Sequence, residues 1–558
     1  MGESRPAGGG AGGAACAWSD PLRVLLVANG FPPSGQWGTE FYTHQLALGL
    51  LRQGHQVSVL TPCRSGARPR YTVERGERYG VQVIEIHNAG DPAKGFADSY
   101  SNTEVERIFE ELLAELTPDV AHFTHLLWGL SVRLPELARG RGVATVATFT
   151  DFGLLCHRGQ LLDGDINPCD ETRLFAATAT TNGALPAGSA DGDAAAEGCA
   201  RCVRRPGPWD QSPLARWPRR VAVEALARSA PAEGGGRVVV AADVRRRRAQ
   251  VVRALDHIQH AIAPTAALAE RFSEAGFPGE RLSVLPYGID ESAYGPSASD
   301  ERSDERRGVR FGYLGQFMPH KGLDVLFAAV DLMRQRLPES VEPWEVILYG
   351  NPMRGRQRNF LRCHYARELA GRLHFRGPFE PLEAPRILAG LDVVVLPSRW
   401  LENAPLTVLQ ARASGVPVIA SDVGGVREVL EPGVHGTLVP VGDAAALAAA
   451  MRASIIGRPL WAAPLKPAPV ITWARHLSEV LNIYGGVCAR QRAAASVGGA
   501  GQLASNPVDT GEQVASVAPG AAVAPGAAVE PGTAVAPGAA VAPGAAGALP
   551  VGGTLSGR

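Results

Sequence analysis

The chain has 558 residues, 45% of them hydrophobic, enough for two domains with sizeable cores and further segments. Its 55 Lys plus Arg balance 55 Asp plus Glu, so no whole-protein field gathers nucleic acid and an anionic ligand must be caught locally. No stretch approaches the ~20 apolar residues of a membrane span, and the first twenty residues lack a signal-peptide core, so a cytoplasmic protein is expected.

Residues 1–20 are rich in Gly and Ala and are expected to be disordered. RVLLVAN (Arg23 to Asn29) is the first core strand, followed by a Gly/Pro loop and a helix from Thr39 to about Arg52. HQVSVLTP, VQVIEIH, DVAHFTH and VATVATF continue the strands, with a helix around VERIFEELLAEL. Strands alternating with helices predict a parallel sheet, here spanning 21–258. From about 176 to 236 the pattern dissolves into Ala, Gly, Asp and Pro and reads as an insertion without regular structure. A second alternating series occupies 259–470: HAIAPT, LSVLPYG, RFGYLG, a helix from Leu323, EVILYG, LHFRG, DVVVLPS and PVIASD. A closing helix is expected over 471–495. Residues 496–558 form a low-complexity tail whose VAPGAA-type unit repeats between Val517 and Ala546, and Pro and Gly in every unit predict disorder.

Ligands of open parallel sheets bind where strands end and helices begin. In SRWLENAPLTVLQ the strand ends at Ser398, and Pro405 precedes a helix whose free amides favour an anion such as phosphate. Glu402 suits sugar hydroxyls instead, and Gln410 a second hydroxyl pair. The plainer reading makes Glu402 a solvated loop carboxylate and Gln410 an exposed helix residue. In YLGQFMPHKGLDVL, Lys321 reaches toward the same crevice and suits a pyrophosphate; its plainer reading is a surface lysine at a helix start.

Cys156, Cys169, Cys199 and Cys202 form a set closed by Cys-x-x-Cys, the spacing of a thiolate knuckle. A structural zinc, or an iron–sulfur cluster, would pin the insertion; four free thiols are the alternative. His122 and His125 end a strand and either meet the ligand or serve the fold. The run VRRRRAQ (Val244 to Gln250) either touches anionic lipid or is a solvated helix face.

The ordered set NGFPPSGQWGTEFYTHQ, VLPYGID, YLGQFMPHKG, RWLENAPLTVLQ and PVIASDVGGVREVL resembles the retaining family 4 glycosyltransferases over about Leu22 to Ala489. The resemblance implies the α/β GT-B fold, two Rossmann-like parallel-sheet domains facing across a cleft, with the nucleotide-sugar donor held by the second and a saccharide or lipid-linked acceptor by the first. It implies that Lys321 neutralises the diphosphate, that the backbone of Asn403, Ala404, Pro405 and Leu406 cradles it, that Glu402 contacts the donor sugar, and that Gly38 lets the first domain approach closely. His122 and His125 become acceptor contacts, and no cofactor is needed for catalysis. Three positions depart from the family pattern: Gln410 stands for Glu, Gln316 for Arg, and Thr150, with Asp151 beside it, for the first-domain His. Polysaccharide assembly at the inner membrane surface is the setting the family suggests. A catalytically weak sugar-binding scaffold and a GT-B epimerase are the other readings.

Overall fold

The computed structural model describes residues 21–33, 38–89, 95–163, 165–169, 190–205, 226–227, 238–294, 308–337, 343–350, 371–457 and 470–502. The expected disordered start, most of the insertion and the repeat tail lie outside these residues. The first lobe is built on strands β1 (Arg23–Val27), β2 (Gln56–Cys63), β3 (Val73–Arg78), β4 (Val81–His87), β5 (Val120–Phe123), β6 (Ala144–Thr148), β7 (His260–Ala263) and β8 (Leu282–Val284). They lie in the order β3-β4-β2-β1-β5-β6-β7-β8, parallel except for the β3/β4 hairpin. The second lobe comprises β9 (Val309–Leu314), β10 (Trp344–Tyr349), β11 (Leu373–Gly377), β12 (Val393–Leu396), β13 (Val418–Ser421) and β14 (Gly436–Val439). Its order is β11-β10-β9-β12-β13-β14, all parallel.

Both sheets are covered by helices on both faces, so their strands are continuous apolar runs: Leu25, Leu26, Val27, Val393, Val394 and Val395 are all buried. The order reverses at β1 in one lobe and at β9 in the other, and ligands of such sheets bind beyond these switch points.

The structure moves the domain boundary. HAIAPT and LSVLPYG, assigned by chain order to the second domain, are β7 and β8 of the first sheet, paired through Val146 with His260 and Ala261 with Leu282. Alternation along the chain says that strands follow helices, but not which sheet a strand joins. Part of the insertion is also regular, because Ala190–Arg204 is a helix. The closing helix, Trp473–Gln502, runs past its expected end.

That closing helix returns to the first lobe. Ile289 N donates to Ile471 O at 2.9 Å, and Trp473 N donates to Ile289 O at 3.0 Å, so the two segments that cross between the lobes are bonded side by side. Beneath them runs a buried chain of polar side chains whose protons are fixed from one end. The Pro286 carbonyl can only accept, so His476 Nδ1, 2.8 Å away, carries the proton. His476 Nε2 then accepts from Tyr42 OH (3.2 Å), and Tyr42 accepts from Thr148 Oγ1 (3.3 Å). Thr148 in turn accepts from His122 Nε2 (2.8 Å), whose Nδ1 accepts from Tyr484 OH (2.7 Å). Every member is neutral.

Burial lowers the pKa of His122 to about 3 and that of His476 to about 4. The unfolded chain takes up these protons near pH 6.5 while the folded chain refuses them, so stability is full above that pH and falls as the pH drops toward 4. Each ring contributes a slope of at most about 1.4 kcal/mol per pH unit. Denaturant titrations between pH 7.5 and pH 4.5 are expected to show this loss, with a shallower slope in His122→Asn.

Candidate functional site

The loops beyond the two switch points line one cleft of about 580 Å³. On the second-lobe side, β9 ends in the loop that carries Gln316 and Lys321, and β12 ends in the loop that carries Glu402 and Asn403. Glu402 is 3% exposed and Gln410 6%, which removes the solvated reading of both. Lys321 Nζ lies 2.7 Å from Glu402 Oε1 and 4.7 Å from the centre of the Trp400 ring. Ser398 Oγ donates to the same Glu402 oxygen, and Gly425 N–H donates to the Glu402 carbonyl at 2.9 Å. Both charged side chains are therefore held facing the cleft. Beside them His320 is kept neutral, its pKa lowered to about 3 by burial and by the charge on Lys321.

Pro405 is the N-cap of the helix Leu406–Ala413, directly before its first residue. It brings no N–H of its own, so the free donors at this helix start are the amides that follow it. Gln410, a turn further on, lines the cleft and hydrogen-bonds Tyr294. Gln316 also lines the cleft, its carbonyl accepting from Tyr313 OH at 2.6 Å.

From the first lobe, Gly38 opens the helix Gly38–Arg52 and faces Leu406; a Cβ at Gly38 would lie 3.9 Å from Leu406 Cδ1. Two residues on, Glu40 is buried, and burial raises its pKa despite the nearby Arg64. His125 lines the cleft with Nδ1 accepting from Leu127 N–H at 3.2 Å, which leaves the proton on Nε2. That Nε2 lies 3.8 Å from Asp151 Oδ2. Burial lowers His125 to about 3 and raises Asp151 to about 6, the latter opposed by the Gly153 amide.

Two expectations on this side change. His122 is fully buried in the chain to Tyr484 and does not line the cleft; β5 turns it toward the closing helix. Thr150 does reach the cleft, but its hydroxyl donates to Thr124 O at 3.1 Å and so offers a ligand no proton. Its carbonyl accepts from Asn403 Nδ2 at 2.5 Å, a direct bond between the lobes.

Four buried polar atoms around this cleft have no hydrogen-bond partner among the described residues: Glu40 Oε2, His125 Nε2, Asn403 Oδ1 and Trp400 Nε1. Buried polar atoms are normally satisfied, so two donors and two acceptors converging on one cleft suit a ligand with many hydroxyls. Glu40 and Trp400 escaped the sequence reading. A carboxylate in a helix's first turn looks like a complement to the dipole, and a tryptophan beside a strand end looks like core.

The arginine run also resolves. Arg247 and Arg248 are buried, while Arg245 pairs with Asp193 at 2.8 Å and Arg246 with Asp243 at 3.2 Å. The run therefore divides: Arg247 and Arg248 turn inward, while Arg245 and Arg246 stay on the solvated side of the helix. Among the described residues no helix is long and apolar enough to cross a membrane.

Known proteins resemble this chain in sequence and in fold. The family model described as "Glycosyl transferase 4-like domain" matches residues 38–254, and that described as "Glycosyl transferases group 1" matches 308–455. A D-inositol 3-phosphate glycosyltransferase of Salinispora tropica is 27% identical over 233 residues, 38% of this chain and 47% of the relative. A phosphatidyl-myo-inositol mannosyltransferase of Mycolicibacterium smegmatis is 32% identical over 169 residues, 30% of this chain and 41% of the relative. The chain spans about half the length of the curated relatives it matches. The crystal structure of a glycosyltransferase from Rickettsia africae shares the fold, with a TM-score of 0.50 at 13% identity over 84% of this chain and 99% of that one.

Proposed function

Since this chain belongs to the family 4, group 1 glycosyltransferases of the GT-B fold, we propose that it moves a sugar from a nucleotide-sugar donor to a hydroxyl of an acceptor, with retention of configuration. The observation that carries this reading is the pairing, in one cleft, of an anion-seeking side with the unpartnered polar atoms that face it. Lys321 and the helix start at Leu406 supply positive potential for a diphosphate. Glu402 and Asn403 take the donor sugar, Gln410 the ribose, and Glu40, His125 and Asp151 the acceptor side.

Transfer on one face of the sugar breaks the bond from the anomeric carbon to the leaving phosphate and forms the bond to the acceptor oxygen. The acceptor proton passes to the leaving phosphate, so no dedicated protein base is required. The residues orient the reactants and stabilise developing charge, and the same positive groups support a metal-independent reaction. The names of the relatives favour an inositol phosphate or a phosphatidylinositol as acceptor over a polysaccharide. Saccharides and lipid-linked saccharides complete the acceptor panel.

The test incubates the purified chain with UDP-, GDP- and ADP-sugars and that panel, and reads the product and its anomeric configuration by NMR. Retained product is expected with one donor class and without added divalent metal. Inverted product refutes retention; no product and no donor binding in a folded chain favours the scaffold reading. Glu40→Ala is expected to lower kcat/KM by about 10- to 100-fold, the worth of a buried charged hydrogen bond. Its unfolding temperature should not fall, since the substitution removes a buried carboxylate with an unmet oxygen.

A further inference from the structure

The four cysteines of the sequence motif, Cys156, Cys169, Cys199 and Cys202, line a small cavity of the first lobe, and among the described residues no three of them stand where they could hold one metal ion. The loop that follows β5 carries a different irregularity, and it lies at the main cleft. Trp128 has φ +51°, a left-handed conformation that a bulky residue adopts only where its surroundings enforce it. Backbone bonds on both sides enforce it here. Trp128 N–H donates to Ser99 O at 2.8 Å, and Trp128 O accepts from Arg64 Nε at 2.7 Å and from Arg64 Nη2. Glycine or asparagine would hold the same turn with less strain, so the turn itself does not call for an indole.

The ring is half-buried and lines the cleft. One side of it lies along the His125 ring, with centroids 5.3 Å apart and planes 31° from parallel. Its Cη2 edge points to Gly159, where a Cβ would lie 3.4 Å away. Among the described residues its indole N–H meets no acceptor.

Groups that suit hydroxyls stand around this ring. His125 Nε2 is a buried donor without a partner, and Asp151 Oδ2 lies 3.8 Å from it. Arg64, which holds the Trp128 carbonyl, also donates to Asn29 Oδ1, and Asn29 Nδ2 donates to Glu40 Oε1 at 3.4 Å. One guanidinium therefore fixes the backbone of the tryptophan and, through Asn29, the Glu40 carboxylate.

An aromatic face bordered by hydrogen-bonding groups has a definite chemical complement. The π face carries partial negative charge, and C–H bonds on carbons that bear oxygen carry partial positive charge. A six-membered ring with hydroxyls around its rim presents several such C–H bonds on one side. An open chain presents them only after its C–C rotations are frozen.

We propose that Trp128 is the platform of the acceptor subsite and selects a six-membered polyhydroxylated ring, a pyranose or a cyclitol, over an open-chain polyol. The C–H face of that ring lies on the indole, and its hydroxyls meet His125, Asp151 and Glu40. The strained backbone is explained by this role, because it aims a large ring at a substrate rather than into the core. This inference rests on the transferase reading of the cleft.

The test uses the full chain with whichever of UDP, GDP and ADP raises its unfolding temperature. Methyl pyranosides, myo-inositol and open-chain alditols are titrated in and followed by saturation-transfer difference NMR. Saturation is expected on the C–H protons of one ring face, of a pyranoside or of myo-inositol, which decides between the two kinds of ring. The alditols should bind at least about tenfold more weakly. Trp128→Ala and Trp128→Asn should each weaken ring binding about tenfold and Trp128→Phe should restore most of it, while the thermal shift caused by the nucleotide stays unchanged in all three. Asparagine is at ease in the left-handed region, so Trp128→Asn removes the platform and keeps the turn. Alditols that bind as well as the rings, ring binding that survives in Trp128→Asn, or a Trp128→Phe no better than Trp128→Ala would each overturn the proposal. A wild type that binds nucleotide but no ring compound overturns it and leaves the donor side of the reading standing; a folded wild type that binds no nucleotide overturns the transferase reading, and this inference with it.

Discussion

Replacing Lys321 by Ala is expected to abolish the thermal shift caused by a nucleotide sugar and to destabilise the free protein as well. Two separate losses are involved. Lys321 is the cation of the cleft best placed to meet a diphosphate, and losing such a charge contact weakens binding by about 100-fold. Its Nζ also holds Glu402, whose side chain is 4% exposed, at 2.7 Å. Removing one partner of a buried pair costs about 3 kcal/mol because the other charge is left uncompensated. Lys321→Ala/Glu402→Gln separates the two effects, since the neutral amide no longer needs the cation. Denaturant titration of the double variant should recover most of the lost stability, while donor-induced stabilisation stays absent. If donor stabilisation survives in either variant, Lys321 does not bind the diphosphate.

Gly322→Val is expected to destabilise the protein by about 3 kcal/mol or more. Gly322 has φ +71°, and a Cβ there would lie 1.8 Å from the carbonyl oxygen of Pro397. Neither partner can yield cheaply, because both are backbone. The collision drives the Lys321 loop away from the strand end that leads to Glu402, so donor binding should fail along with stability. Gly433→Val supplies the comparison. Gly433 has φ +81° but nothing within 4 Å of the added atom, so it carries the left-handed backbone penalty of about 1–2 kcal/mol alone. The difference between the two variants, read from unfolding curves, measures the collision. Equal losses would show that the Pro397 contact does not restrict residue 322.

The sequence made the strands and loops of the cleft legible because each apolar run stops at a Gly/Pro-rich loop, and a parallel sheet places those stops on one edge. Lys321, Glu402, Gln410 and His125 reached the cleft on that basis, and Asp151 through the family resemblance. What escaped depends on contacts between distant segments. His122 and His125 share a strand end, yet His122 meets Tyr484, 362 residues away, and no local periodicity reports such a partner. Arg247 and Arg248 sit in a run of like charges that reads as exposed until the cysteine segments fold over it. β7 and β8 carry ordinary strand sequences, and their membership of the first sheet is set by pairing with β6, across the insertion. The hydroxyl of Thr150 was similarly unreadable, since its acceptor is a carbonyl on the neighbouring strand's loop.

The two segments that cross between the lobes have a mechanical consequence. Ile289 is bonded on both sides to Ile471 and Trp473, and His476 ties the same seam to Pro286. Crossings laced together cannot bend independently, so lobes that separate must pivot about this one seam as about a hinge pin. Asn403 bonded to the Thr150 carbonyl is the latch of that hinge. The bond from His476 to Pro286 survives acid, because Nδ1 donates in both protonation states; what a proton on Nε2 takes away is the acceptor that Tyr42 meets, so the pin keeps its tie to Pro286 and loses its anchor in the first lobe.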